Sequence, residues 1–187
     1  NNANQSRARA ELDAQAMLAV YAQRFTLGLS RNAAAIRAAR DVIVESQDGN
    51  GICANTLARL ASAPNVPGRF ALYGSGQRLR CATEGFVPPP APQRPLGQFS
   101  QTFILPGGQV LRAFLFAPDG GLEGIAEYRR DALAALVATP ALPGNFALEL
   151  LQGDRSMPLR PGSPAIDAAQ EVTADYPLAS GQFALRI

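Results

Sequence analysis

From Ser6 to about Ser46, apolar residues return at helical spacing: Met17, Tyr21, Phe25 and Leu29, then Ile36 and Ile43. The stretch has no proline and one glycine, Gly28, and is rich in Ala, Arg, Leu and Gln. These residues lose little freedom in a helix, so one long N-terminal helix is predicted. At 1.5 Å per residue, about 40 residues reach roughly 60 Å, more than the width of a small domain. Such a helix must run past its own module, pack along two modules, or pair with a partner helix. The turn residues Ser46-Gln47-Asp48-Gly49-Asn50-Gly51 end it. A second, short helix is predicted over 52–61, with Leu57 and Leu60 facing inward. Pro64 and Pro67-Gly68 close it.

Alternating and continuous apolar runs then predict strands. Segments 69–73 and 77–83 flank Gly74-Ser75-Gly76, and 101–105 and 109–117 flank Pro106-Gly107-Gly108, two hairpin signals. Pro118-Asp119-Gly120-Gly121 leads into a third-hairpin strand over 122–128. Together these give about five strands in antiparallel meander style. Pro88-Pro89-Pro90-Ala91-Pro92 reads as an extended surface loop. A helix is expected over 129–138 and a linker from Pro140 to Gly144. A poorer set of strands follows over 146–152, 157–160, 171–177 and 182–187. The fold class is α+β, divided into a long N-terminal helix (1–50), a sheet module (51–139) and a reduced second module (140–187).

Composition narrows the chemistry. The chain of 187 residues carries a net charge of +2 and contains no His and no Trp. It also has no Lys, so every basic residue is Arg. Without His, the commonest general base near neutral pH and the commonest zinc ligand are missing. Without Lys, there is no phosphate-loop lysine, Schiff-base amine or Ser-Lys dyad. No catalytic residue, cofactor or metal is therefore expected. The basic residues show no gathered excess of the kind nucleic-acid binders carry. No run of ~20 apolar residues is present to span a membrane. The ends read as cut: a polar start leads straight into the helix, and the last residues stop within a strand pattern. The expectation is a fragment of a longer protein.

Cys53 opens the short helix and Cys81 lies in the second strand, with no other thiol in the chain. Such a pair points to a disulfide in an oxidising compartment. Two buried free thiols in a reducing compartment is the other reading. Zinc is disfavoured, because two thiols without His leave too few ligands.

The order of elements resembles the Cache-type sensors, extracytoplasmic relatives of PAS domains. Cys53-Ala54-Asn55-Thr56-Leu57-Ala58-Arg59-Leu60 is similar to the short helix in periplasmic sensors of alphaproteobacterial histidine kinases and diguanylate cyclases. Phe70-Ala71-Leu72-Tyr73-Gly74-Ser75-Gly76-Gln77-Arg78-Leu79-Arg80-Cys81-Ala82 is similar to their first hairpin, whose cysteine pairs with that helix. Ala117-Pro118-Asp119-Gly120-Gly121-Leu122-Glu123-Gly124-Ile125 resembles the turn before their last sheet strand. Tyr176-Pro177-Leu178 and the closing Phe183-Ala184-Leu185-Arg186-Ile187 resemble the strand that returns to the membrane. The resemblance implies a Cys53–Cys81 disulfide and a PAS/Cache-like sheet. It also implies a periplasmic sensory domain held between transmembrane helices, with a cytoplasmic output module such as a histidine kinase. A homodimer through the N-terminal helix is expected. A periplasmic module that only docks partner proteins, through the apolar strands and the proline-rich loop, is the competing reading. The tryptophan signature of amino-acid-binding Cache sensors is absent.

The segment 109–117 is apolar on both faces, with Val110, Arg112, Phe114 and Phe116 on one and Leu111, Ala113, Leu115 and Ala117 on the other. Such a strand is covered on both sides, by a helix on one face and by a pocket or loop on the other. Arg112 either clamps a ligand carboxylate or phosphate, or pairs with Glu123 or Glu127 on the neighbouring strand. Tyr73, Phe103 and Tyr128 are expected to share a ligand cavity with Arg112, Phe114 and Phe116. Asp119, Glu123 and Glu127 lack calcium-loop spacing. Arg24, Arg31, Arg37 and Arg40 read as a solvated helix face.

Overall fold

The computed structural model describes residues 2–46, 49–62, 64–93, 97–138, 146–161, 175–178 and 184–186. Helix α1 (Asn2–Glu45) has 44 residues and so runs roughly 66 Å. Its buried residues are Leu18, Tyr21, Ala22, Phe25, Gly28, Asn32, Ile36 and Ile43, a single stripe at helical spacing. Residues 2–13 are all exposed, so the first three turns project beyond the packed body. Helix α2 (Gly49–Leu60) follows.

The first sheet is built from β1 (Arg69–Tyr73), β2 (Leu79–Ala82), β3 (Ser100–Ile104), β4 (Val110–Phe116) and β5 (Leu122–Arg129). Its order is β2-β1-β5-β4-β3, with every neighbouring pair antiparallel. The expected meander is therefore corrected. Strand β1 pairs with β5 through Phe70↔Ala126 and Leu72↔Gly124, so the chain crosses from one edge of the sheet to the other between β2 and β3. The proline-rich segment makes that crossing, because its residues cannot continue a ladder. The Gly74-Ser75-Gly76 signal also becomes more than a tight hairpin. A one-turn 3-10 helix, Ser75–Gln77, stands there, with Gly76 (φ 69°) and Gln77 (φ 57°) both left-handed.

Helix α3 (Arg130–Val137) leads to a second, four-stranded sheet. It contains β6 (Leu148–Gln152), β7 (Arg155–Arg160), β8 (Asp175–Pro177) and β9 (Ala184–Arg186), in the order β7-β6-β9-β8. The linker expected at 140–144, and 171–174, 182–183 and 187 of the expected later strands, lie outside the described residues. One continuous core joins the units: Leu18, Phe25 and Ile36 of α1 share it with Phe70 and Leu111 of the first sheet and Leu148, Leu150 and Met157 of the second.

Helix α1 is fixed to both units along its length. Tyr21 tilts against Phe146, just before β6, at 5.8 Å. Arg24 donates to the carbonyl of Ala138 at the end of α3 (3.0 Å). At Gly28 a Cβ would come within 2.5 Å of Leu136, so the glycine allows α1 and α3 to approach. At Gly124 of β5 a Cβ would come within 2.7 Å of Ile36. Arg40 donates to the carbonyl of Tyr73 (2.9 Å).

Between Gly28 and Ile36 stands Asn32, which is fully buried. Its Nδ2 donates to the Val66 carbonyl (2.8 Å) and to the Tyr128 hydroxyl oxygen (3.0 Å). Its Oδ1 accepts from the Val66 N–H (2.8 Å). The side-chain amide thus takes the place of a peptide group and satisfies both backbone polar groups of a buried loop residue.

Each edge of the first sheet is tied to another element. The disulfide Cys53–Cys81, with Cα atoms 5.7 Å apart, ties α2 to edge strand β2. At the other edge, Gln152 Nε2 donates to the Thr102 carbonyl (2.8 Å) and Gln152 Oε1 accepts from the Ile104 N–H (2.7 Å). Arg155 donates to the Ile104 carbonyl (2.8 Å). The β6–β7 turn therefore caps β3 with side chains in place of another strand.

Two outcomes follow from this packing. Asn32→Leu keeps the branched outline of the side chain but strands the Val66 N–H and carbonyl, and should lower unfolding free energy by about 2–4 kcal/mol in urea titration, with an unchanged m-value. The double variant Cys53→Ala/Cys81→Ala releases a loop of sequence separation 28, and should lose about 3–4 kcal/mol by the chain-entropy relation. The wild-type chain, unfolded without reductant, should show no free thiol.

Candidate functional site

Strand β4 is covered on both faces, by different partners. On the inner face lie Leu111, Ala113 and Leu115, toward α1. On the outer face, Phe114 and Phe116 form a cluster with Ala71, Phe86, Leu122 and Ile125, with Tyr73, Ala82 and Phe103 packed against it. Phe86 comes from the segment after β2 and closes this face. Phe103 and Phe114 meet edge-to-face at 6.0 Å. The Arg69 guanidinium lies over the Phe86 ring at 5.0 Å.

Among the residues expected to share one cavity, Tyr73, Phe103, Phe114 and Phe116 do come together on the outer face. Tyr128 does not, and this is a correction of strand phase. It sits opposite Leu111 in the β4–β5 register and so faces α1, where Asn32 holds it. Arg112 sits opposite Glu127 and is bonded to it (2.7 Å). The buried Glu127 carboxylate also takes Arg69, from β1 on its other side. Arg112 is therefore engaged within the sheet, in the pairing the sequence offered as the alternative to a ligand clamp. Burial without these partners would be costly for Glu127, so the two guanidinium groups keep the carboxylate inside.

Glu123 takes a different direction. The β4–β5 register slips between Leu115 and Phe116, which brings Phe116 opposite Leu122. The slip leaves Glu123 pointing toward α1, where it pairs with Arg37 (3.4 Å). Arg37 also donates to the Phe99 carbonyl (3.1 Å). Of the four helix arginines read as a solvated face, Arg24, Arg37 and Arg40 are thus tethers to the body.

The inner face holds an opening that sequence reading did not place. A cleft of about 200 Å³ lies between α1 and strands β3 to β5. Its helix wall is formed by Phe25, Leu29, Ala33 and Ile36. Its sheet wall includes Ala113, Leu115, Ala126 and Tyr128, and Leu178 closes one side. Four hydroxyl residues, Thr26, Ser30, Ser100 and Thr102, complete the lining. The space remains because α1 lies nearest β5, where Gly124 admits Ile36, while toward β3 the facing residues are small. Tyr128 is the one residue expected at a ligand site that lines it.

Burial pushes the Tyr128 phenol up to about 12, and the hydrogen bond from Asn32 opposes part of that rise. Burial also raises Tyr73. Among the described residues, no group of three or more acidic or cysteine side chains is arranged to hold a metal ion.

No protein-family model matches the chain, and no curated protein matches it.

The tyrosine shift has a pH consequence. Between pH ~10 and ~12 the unfolded chain loses the Tyr128 proton while the folded chain keeps it, so stability falls as pH rises. The Tyr128 contribution should amount to about 1.4 kcal/mol per pH unit in that window. In Tyr128→Phe this part of the slope disappears, and the gap between wild-type and variant unfolding curves should narrow from pH 9 to pH 12.

Proposed function

We propose that the chain is the extracytoplasmic sensory domain of a transmembrane receptor, a histidine kinase, which detects a small ligand or partner protein and signals through α1. The carrying observation is the double commitment of α1. One stripe is locked to the body through Gly28, Asn32 and Ile36. The opposite side carries Leu12, Val20, Leu27 and Val42, all exposed, with exposed Ala16, Ala34 and Ala38 between them. At about 100° per residue these positions form a second stripe, facing away from the first. A helix with two apolar stripes joins its own domain to a second copy of itself.

Supporting features agree with an oxidising, extracytoplasmic setting. The Cys53–Cys81 disulfide belongs in such a compartment. No helix among the described residues is long and apolar enough to cross a membrane. A long helix on an antiparallel sheet, followed by a smaller sheet, supports the Cache/PAS-like reading. In a parallel homodimer the projecting first turns of α1 lead toward the membrane together. Binding that favours one arrangement of α1 on the sheet shifts the population, and the helix carries the shift outward.

Cross-linking tests the arrangement. Single variants Leu12→Cys, Val20→Cys and Leu27→Cys should each form a covalent dimer under mild oxidation, because a parallel seam brings every position against itself. An antiparallel seam would trap at most one of them. A monomer in sedimentation at high concentration, with no cross-link at any position, overturns the reading.

A further inference from the structure

We infer that the cleft between α1 and the first sheet is a binding site for a small uncharged molecule with an apolar body and a single polar end. The assignment deepens the sensor reading and rests on it only for its purpose; binding itself is a property of the cleft.

Size comes first. A cleft of about 200 Å³ is larger than the ~150 Å³ that encloses a benzene ring. It is smaller than the ~300–1,000 Å³ of sites for drug-sized ligands. The occupant is therefore a single ring or a short chain. Small side chains keep the space open: Ala33 on the helix and Ala113 and Ala126 on the sheet. A larger apolar residue at any of them would fill it, and a packed interior ordinarily leaves no such void.

Chemistry comes second. The walls are apolar, and the polar groups on the lining are hydroxyls, from Thr26, Ser30, Ser100 and Thr102. Thr26 and Ser30 are exposed and stand at the mouth. The Tyr128 hydroxyl is already engaged by Asn32. Among the described residues, no charged side chain lines the cleft. Arg37 and Glu123, on two elements that form its walls, are tied to each other at 3.4 Å. A carboxylate or ammonium inside would be desolvated without a counter-charge, whereas a hydroxyl or carbonyl meets hydroxyl partners at the rim. The site thus selects against charge of either sign.

Position comes third. The ligand would touch Leu29 and Ala33 of α1 and Ala113 and Leu115 of β4 at once. It would lie beside the Asn32–Tyr128 bond that fixes the helix to the sheet. Occupancy therefore sets the spacing between the two elements whose relative position the sensor reading makes the signal.

Benzyl alcohol, benzoate and benzylammonium share one apolar body and differ in charge, so they test the assignment directly. Titration followed by protein NMR shifts should show saturable binding of benzyl alcohol at the cleft. Both ions should bind at least about tenfold more weakly, a difference of about 1.4 kcal/mol. Ala33→Leu should abolish binding while the melting temperature stays level or rises. If that variant does not fold, Ala113→Val fills the same space from the sheet. Absence of saturable benzyl alcohol binding, equal or tighter binding of either ion, or binding that survives a folded filling variant overturns the site. None of those outcomes touches the cross-linking result, and a failed cross-link leaves the cleft measurement standing.

Discussion

The fold depends on one buried amide. Asn32 stands in the middle of an apolar helix stripe and makes three hydrogen bonds, two to Val66 and one to Tyr128. Val66 lies in the loop that feeds β1, and Tyr128 lies on β5, the partner of both β1 and β4. A single side chain thus fixes the helix, the entry to the sheet and its central strand. Apolar contact is tolerant of small slides, but a side-chain amide that copies a peptide group is not. The register of α1 along the sheet is set by this polar group, and the surrounding Leu, Phe and Ile residues supply the bulk of the burial.

Two glycines make the same geometry possible. Gly28 admits Leu136 of α3, and Gly124 admits Ile36 of α1. A glycine inside a helix costs about 1 kcal/mol relative to alanine, so its presence in α1 marks a place where close approach outweighs propensity. Where α1 is drawn tightly against β5, it cannot also cover β3 and β4. The cleft beside Ala113 is the geometric remainder of that tight contact. The close approach and the opening are one arrangement seen from two sides.

Much of this was legible in the sequence, and the losses have physical causes. The long helix, the two-sided burial of β4 and the strands of the first sheet follow from periodicity and turn residues, while the Cys53–Cys81 bond is the reading of an open cysteine pair that the family resemblance implied. Strand order did not follow, because pairing of β1 with β5 is a long-range contact that local alternation does not encode. Tyr128 was put on the wrong face because β-strand side chains alternate with period 2, so a one-residue error in phase inverts every position. Asn32 falls on the buried stripe between Gly28 and Ile36, and a polar residue at an apolar position of a helix is the signal the sequence carries for it. The cleft left no signal of its own, since small residues on α1, β4 and β5 become one space only after packing.

The cap on β3 ties the two sheets together in a way that bears on how the chain can be divided. Gln152 and Arg155 occupy the backbone groups of Thr102 and Ile104 that an added strand would otherwise seek. A fragment ending at α3 would retain all five strands of the first sheet but uncover a row of bonding groups beside the exposed Phe99. Such a margin recruits strands from other molecules. The smaller sheet therefore serves the larger one twice, as part of a shared core and as a guard on its bonding margin, and a piece of this chain without it would lose both.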